Sequence, residues 1–183
     1  MWYNKSIMKK VILKCKLEDR DRFEKKLAEI DLDFSAIYWQ HDRVYVPRGY
    51  KRGKNLPRLV MRTEMRAVDE IPKYTLIFRR HVEDADIDII EETKILDYEN
   101  TVNIILQLGF KPAGEVSRRR QDLKMSENTF IYIDRIDGQD EYYVKIESIL
   151  TDEDSVEQTK NFLVRTLRQL GETDIAESAY FEL

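Results

Sequence analysis

The sequence predicts an α+β protein centred on a closed, eight-stranded antiparallel β-barrel, a tunnel with helices outside it. Three observations carry that prediction. The elements run strand, helix, several strands, helix, several strands, helix, unlike the strand–helix alternation of a doubly wound sheet. About eight segments place polar residues at alternate positions among apolar ones, which gives each strand two chemically different faces. No glycine-rich strand-to-helix loop of the phosphate-binding kind is present. Closing such strands on themselves removes exposed edges and turns the polar faces toward a lumen.

Residues 9–17 (KKVILKCKL) read as a strand with Val11, Leu13, Cys15 and Leu17 on one face and Ile12, Lys14 and Lys16 on the other. Asp19 can cap a following helix whose apolar stripe is Phe23, Leu27 and Ile30. Aromatic and β-branched residues mark a strand through 34–46, stopped by Pro47 and Gly49, and 50–55 (YKRGKN) reads as a basic connection. Strands follow at 56–65, 73–80 and 87–96. Asp97 can cap a helix carrying Val102, Ile105, Leu106 and Leu108, ending at Gly109. Three more strands are expected at 110–120, 128–136 and 141–150, the last two joined tightly at Asp137-Gly138. A final helix beginning near Asp152 presents Val156, Leu163, Leu167 and Leu170, and Gly171 terminates it. The end of the chain (SAYFEL) can add a strand or cover the barrel mouth. The whole, 1–183, reads as a single domain without repeat or linker.

Composition narrows the function classes. The chain is 42% hydrophobic and 36% charged, with a formal net charge of −4. That balance argues against extended nucleic-acid binding and against attachment to anionic membranes, but leaves room for a local cationic pocket. One cysteine, Cys15, excludes an intrachain disulfide and a thiolate cluster, and its place in the alternation is that of a small buried hydrophobe. No 18-residue apolar run is present and the beginning of the chain lacks a signal-peptide core, so the expected compartment is cytoplasmic.

Basic residues recur on strands despite the acidic total. Lys14 and Lys16 share a strand face, Arg62 and Arg79 fall on two further strands, and Arg118 and Arg120 repeat the two-residue spacing. Arg119 and Arg80 point the other way in ideal strands. Guanidinium groups offer several planar donors to phosphate oxygens, and ammonium groups offer compact charge. A solvated strand face is the plain alternative for each pair. Asp134 and Glu147 can face the same cavity, with Lys145 beside Glu147; they balance these cations or supply hard oxygens to Mg²⁺ or Mn²⁺. His41 and His81 have no nearby ligand cluster. Tyr132 and Tyr143 suit aromatic packing. Nothing resembles a Ser-His-Asp or Cys-His arrangement.

The order HDRVYV, RLVMR, YTLIFRR, ILQLGFKPAGEVSRRR, TFIYIDRI, YYVKIE and YFEL resembles the CYTH superfamily, the triphosphate tunnel metalloenzymes, with class IV adenylyl cyclase-like proteins the nearest subgroup. The resemblance implies an eight-stranded tunnel that binds triphosphates, commonly with a divalent metal. It also implies a damaged site. The ExExK pattern falls on Ile12, Lys14 and Lys16, so both glutamates are missing, and Val60 replaces an arginine beside a retained Arg62. Arg79 stands where a lysine is common. Arg118 and Arg120 match the later basic pair, and Asp134 the late aspartate. In the terminal ExE pattern Lys145 replaces the first glutamate and Glu147 keeps the second. Asp88 and Ile90 stand where arginine and glutamate are expected.

Three functions follow as expectations. The first is binding of a nucleotide or inorganic triphosphate or polyphosphate by Lys14, Lys16, Arg62, Arg79, Arg118, Arg120 and Lys145, with catalysis lost or altered. The second is a metal-dependent adenylyl cyclase or triphosphate phosphohydrolase, with Asp134 and Glu147 on the metal. The third is an interaction barrel for an acidic partner. A homodimer is left open.

Overall fold

Residue alternation in the first strand sets the architecture. In the computed structural model, which describes residues 7–51, 56–67, 71–82 and 87–176, β1 (Met8–Lys16) turns Val11, Leu13 and Cys15 outward into a buried apolar layer and Lys10, Ile12 and Lys14 inward to a cavity. The same division runs through β2 (Tyr38–Pro47), β3 (Arg58–Met65), β4 (Lys73–Val82), β5 (Ile87–Ile95), β6 (Phe110–Lys124), β7 (Thr129–Ile136) and β8 (Tyr142–Leu150). Their order around the wall is β5-β4-β3-β2-β6-β7-β8-β1, and β5 pairs back onto β1 to close an eight-stranded antiparallel barrel. A two-residue strand, β9 (Ile175–Ala176), adds to β1 opposite Lys14 and Cys15. The edge of β1 is thus shared, with β5 beside Met8 to Lys10 and β9 further along.

Three helices cover the outside: α1 (Arg20–Ala28), α2 (Tyr98–Gln107) and α3 (Val156–Leu170). Each starts at a side chain that accepts a backbone N–H, namely Asp19 from Arg22, Asp97 from Asn100 and Ser155 from Gln158. Gly171 closes α3 at φ 105°, a left-handed position that glycine adopts without Cβ strain.

The main core lies outside the barrel. Phe23 and Leu27 of α1 and Leu163, Leu167 and Leu170 of α3 bury against Val11, Leu13, Cys15, Ile131, Ile133, Val144 and Ile146 of the wall. Cys15 is fully buried there, and burial pushes its thiol up to about 12. A second cluster, Tyr45, Met61 and Ile105, seats α2 on the opposite wall.

Several local expectations differ. α1 ends before Ile30, which is exposed, because the chain turns at Asp31 with φ 57°. In and beyond α2 only Ile105 is fully buried; Val102 packs against its cluster, whereas Leu106 and Leu108 are exposed. α3 begins at Val156 rather than near Asp152, since Ser155 supplies the cap. The β7–β8 connection runs through residues 137–141, with Gly138 at φ 82°, and is longer than a two-residue turn. β6 continues to Lys124, four residues past the expected end. Most of the 50–55 connection and the terminal SAYFEL segment lie outside the described residues.

Candidate functional site

Every inward face contributes to one cavity of about 440 Å³ along the barrel axis. Among the described residues nine cationic side chains and six carboxylates line it, so cations are in surplus there in a chain that is acidic overall. This volume lies within the range of ligand sites. Two ion-pair networks occupy much of the wall.

The first network centres on Asp42 of β2. Arg62 donates to it through Nε and Nη2 at 2.7 and 3.0 Å, and Arg118 Nη2 donates at 2.7 Å. Arg118 also approaches Asp134 at 3.5 Å, and Asp134 takes a two-pronged contact from Arg120, with Nη2 at 2.6 Å. Cross-strand register explains the chain of contacts. Asp42 lies opposite Arg62 on β3 and one row from Arg118 on β6, and Arg120 lies opposite Asp134 on β7. Burial raises the Asp134 carboxyl, but the charge and hydrogen bonds of Arg120, with Arg118 and Lys145, bring it down to about 2. Asp42 is likewise held well below the carboxylate range, where Arg62 and Arg118 outweigh its burial.

The second network centres on Glu147 of β8. Its Oε1 accepts from Lys10 Nζ at 2.9 Å and from the Tyr132 hydroxyl at 3.1 Å, and its Oε2 accepts from Lys145 Nζ at 2.7 Å. The Tyr132 ring lies under both the Lys145 ammonium and the Arg120 guanidinium, at 3.9 and 4.7 Å from its centroid. Burial lowers Lys145 to about 8 even though Glu147 supports its charge. On β4, Arg79 makes a two-pronged contact with Asp88 of β5 at 3.3 and 2.9 Å.

Lys14 differs from all of these. It lines the cavity without a hydrogen-bond or ion-pair partner among the described residues. Lys145 lies directly opposite it across the β1–β8 ladder. Burial, then Arg79, Lys145 and Arg118, lower its amine to about 7, and only Asp134 among its main neighbours opposes them. Arg118 Nε is also buried without a hydrogen-bond partner among the described residues. Lys14 thus faces the lumen with nothing to hold among the described residues.

The structure therefore gathers Lys14, Arg62, Arg79, Arg118, Arg120, Lys145, Asp134 and Glu147 in one cavity. Lys16 is not among its lining residues. It lies beyond the end of the lumen, half exposed, with Glu141 at 3.1 Å. Val60, Ile12 and Ile90 do line it, while Arg80 and Arg119 are exposed. Tyr143 donates to Gln139 at 2.9 Å, His41 meets Ser117 at 2.8 Å, and His81 lies 3.5 Å from Asp88.

Sequence reasoning missed Asp42, the centre of the first network, and Lys10, a partner of Glu147 in the second. Both were marked by parity. Lys10 is two residues before Ile12 on the inward face, and Asp42 is two after Gln40 on a strand that also pairs with the arginine-bearing β6. The metal question also turns on these contacts. All four oxygens of Asp134 and Glu147 already accept from cationic side chains, and a divalent ion would have to displace them. No group of three or more His, Cys, Asp or Glu side chains among the described residues is arranged to hold a metal. As the side chains stand, this donor set does not fit Mg²⁺ or Mn²⁺.

No protein-family model and no curated protein matches the chain. Solved structures do. The PH1819 protein of Pyrococcus horikoshii OT3 matches with a TM-score of 0.77 at 20% identity, over 93% of this chain and 95% of that one. A putative adenylate cyclase from Vibrio parahaemolyticus matches with a TM-score of 0.77 at 17% identity, over 96% and 97%. The putative adenylyl cyclase HpAC1 from Hippeastrum, described as having a dominant triphosphatase activity, matches with a TM-score of 0.58 at 13% identity, over 96% and 93%. The chain thus has the closed tunnel fold that its resemblance to the CYTH superfamily implies.

Proposed function

We propose that the tunnel binds a phosphate-rich anion, a nucleotide or an inorganic triphosphate or polyphosphate, without a divalent metal. One observation carries this reading: Lys14 lines the cavity with no hydrogen-bond or ion-pair partner among the described residues, beside Arg79, Arg118 and Lys145. Buried donors without acceptors are costly, and an anion that supplies several oxygens relieves them together. A phosphate chain suits the site because its charge is spread along its length, as the cations are spread along the lumen. The triphosphatase activity described for the Hippeastrum protein supports triphosphates as the ligand class.

Turnover is a different matter. Metal-assisted phosphoryl transfer needs a carboxylate cage, and here Lys14 and Lys145 stand where the resemblance implies glutamates. The lysines supply positive charge in place of an ion, which holds an anion but generates no metal-activated nucleophile. The reading is therefore a binding protein.

Calorimetric titration with tripolyphosphate, ATP and thiamine triphosphate in EDTA, Mg²⁺ or Mn²⁺, with product analysis of each mixture, tests it. Saturable binding in EDTA with no phosphate or cyclic nucleotide released is expected. Binding or turnover that appears only with metal would overturn it in favour of a cyclase or phosphohydrolase. Failure of every phosphate to bind, with an acidic peptide retained, would favour the interaction barrel.

A further inference from the structure

Four lysines project from the inward faces of β1 and β8 or just beyond them, and their partners differ. Lys10 and Lys145 share Glu147, and Lys16 holds Glu141. Lys14 holds no carboxylate among the described residues. We propose that Lys14 is a covalent capture site, whose amine condenses with the carbonyl of a phosphorylated aldehyde to form a reversible imine inside the tunnel. The proposal rests on the phosphate-binding reading above, since the phosphate group is what brings the carbonyl to the amine.

A lysine becomes a nucleophile when it is desolvated and placed beside other cations, because both disfavour the ammonium form. Lys14 meets both conditions. The groups facing it come from four other strands: Arg79 from β4, Lys145 from β8, Arg118 from β6 and Asp134 from β7. Three of them repel a proton on its nitrogen and one attracts it. Burial and these neighbours bring the amine to about 7, so neutral amine is present near neutral pH. An ordinary exposed lysine, near 10.4, offers almost none. The cavity of about 440 Å³ lies within the range of small-ligand sites, and Arg79, Arg118 and Lys145, which line it beside Lys14, supply positive charge for a phosphate.

The step needs no oxidant or reductant. Lys14 Nζ adds to the carbonyl carbon, a C–N bond forms, and the C=O π pair moves to oxygen, which takes a proton to give a carbinolamine. Loss of that hydroxyl as water leaves the C=N bond. Nitrogen gives up two protons over the sequence and oxygen takes up two, one in the carbinolamine and one on leaving as water, so the step balances; Lys145, across the ladder from Lys14, is the neighbouring acid. Water reverses the reaction.

Pyridoxal 5′-phosphate is a suitable probe on the intact chain near pH 7, followed by borohydride reduction and peptide mass mapping. One adduct per chain at Lys14 is expected, formed at least about tenfold faster than at Lys10, Lys16 or Lys145, and faster by a similar factor than with pyridoxal, which lacks the phosphate. Tripolyphosphate should block it, and Lys14→Arg should abolish it. Because mapping is done on the unaltered chain, the outcome does not depend on the variant folding. Adducts spread evenly over the lysines, or concentrated on Lys145, would overturn the proposal. Tripolyphosphate binding by calorimetry without labelling of Lys14 would also overturn it and leave the phosphate-binding reading standing. Labelling of Lys14 that is equal with pyridoxal and insensitive to tripolyphosphate would overturn both.

Discussion

The two faces of β1 differ in what they are for. Outward, Val11, Leu13 and Cys15 are sealed under α1 and α3, where each apolar contact adds to stability. Inward, four residues apart, Lys10 is neutralised by Glu147 and Lys14 is left opposite Lys145 with no carboxylate partner among the described residues. The outer wall is a conventional core displaced to the outside of the barrel. The lumen retains charge that is paired along most of the wall and that, at Lys14, opposes folding. Because helices stabilise the wall from outside, the inside is free to carry charged residues that a conventional core would exclude.

The largest test of this division lies at the most deeply paired cation. Arg120→Met removes the two-pronged partner of buried Asp134 and leaves it the longer Arg118 contact; breaking a buried pair by removing one partner costs about 3–5 kcal/mol. Urea unfolding should show that loss, and Asp134→Asn in the same chain should recover most of it. If the double variant is no better than the single one, the pair is not the unit of stability. On the outer wall, Leu167→Ala empties a fully buried position under α3 and should cost about 2–5 kcal/mol. Tripolyphosphate affinity per folded molecule should stay within about twofold. A tenfold loss in a still-folded variant would show that wall packing and lumen geometry are coupled.

How much of this was legible in the sequence follows from the same contrast. Period-two alternation in KKVILKCKL and TFIYIDRI divided wall from lumen, because a residue's face in a strand is fixed by parity alone. Asp19, Asp97 and Gly171 marked helix boundaries, because caps are local chemistry. Parity does not say where a lumen ends, so Lys16 looked equivalent to Lys14 although it stands outside the mouth with Glu141. Nor does it say which charges cancel. Asp42 joins Arg62 to Arg118 through strands β3, β2 and β6, and β2 and β6 are separated in sequence by three strands and a helix. Barrel closure, rather than any local pattern, makes that contact. The exposure of Leu106 and Leu108 escaped the reading for the same reason, since apolar spacing identifies a helix face but not what covers it.

The smallest expected effect is also the most selective, and it concerns the sign of a pH dependence. Below about 7 the folded chain carries Lys14 charged in a place that disfavours charge, so its burial costs stability. Between about 7 and its ordinary value of 10.5, the unfolded chain binds a proton at this amine that the folded chain does not, so stability rises with pH. Asp42, Asp134 and Glu147 behave oppositely and elsewhere: their folded values are depressed, so their contribution is present above the ordinary carboxylate range and is lost in acid. Lys14→Met removes only the first dependence. Parallel urea titrations at about pH 6, 7.5 and 9 should therefore find the variant's advantage over the unaltered chain greatest at the lowest pH and shrinking as pH rises. The same substitution should weaken tripolyphosphate binding about tenfold, most clearly at the acid end, where the ammonium it replaces is fully formed. A stability difference that stays constant across the series would mean that Lys14 keeps its proton in the fold, and that the lumen compensates its charge as completely as the outer wall seals its apolar side chains.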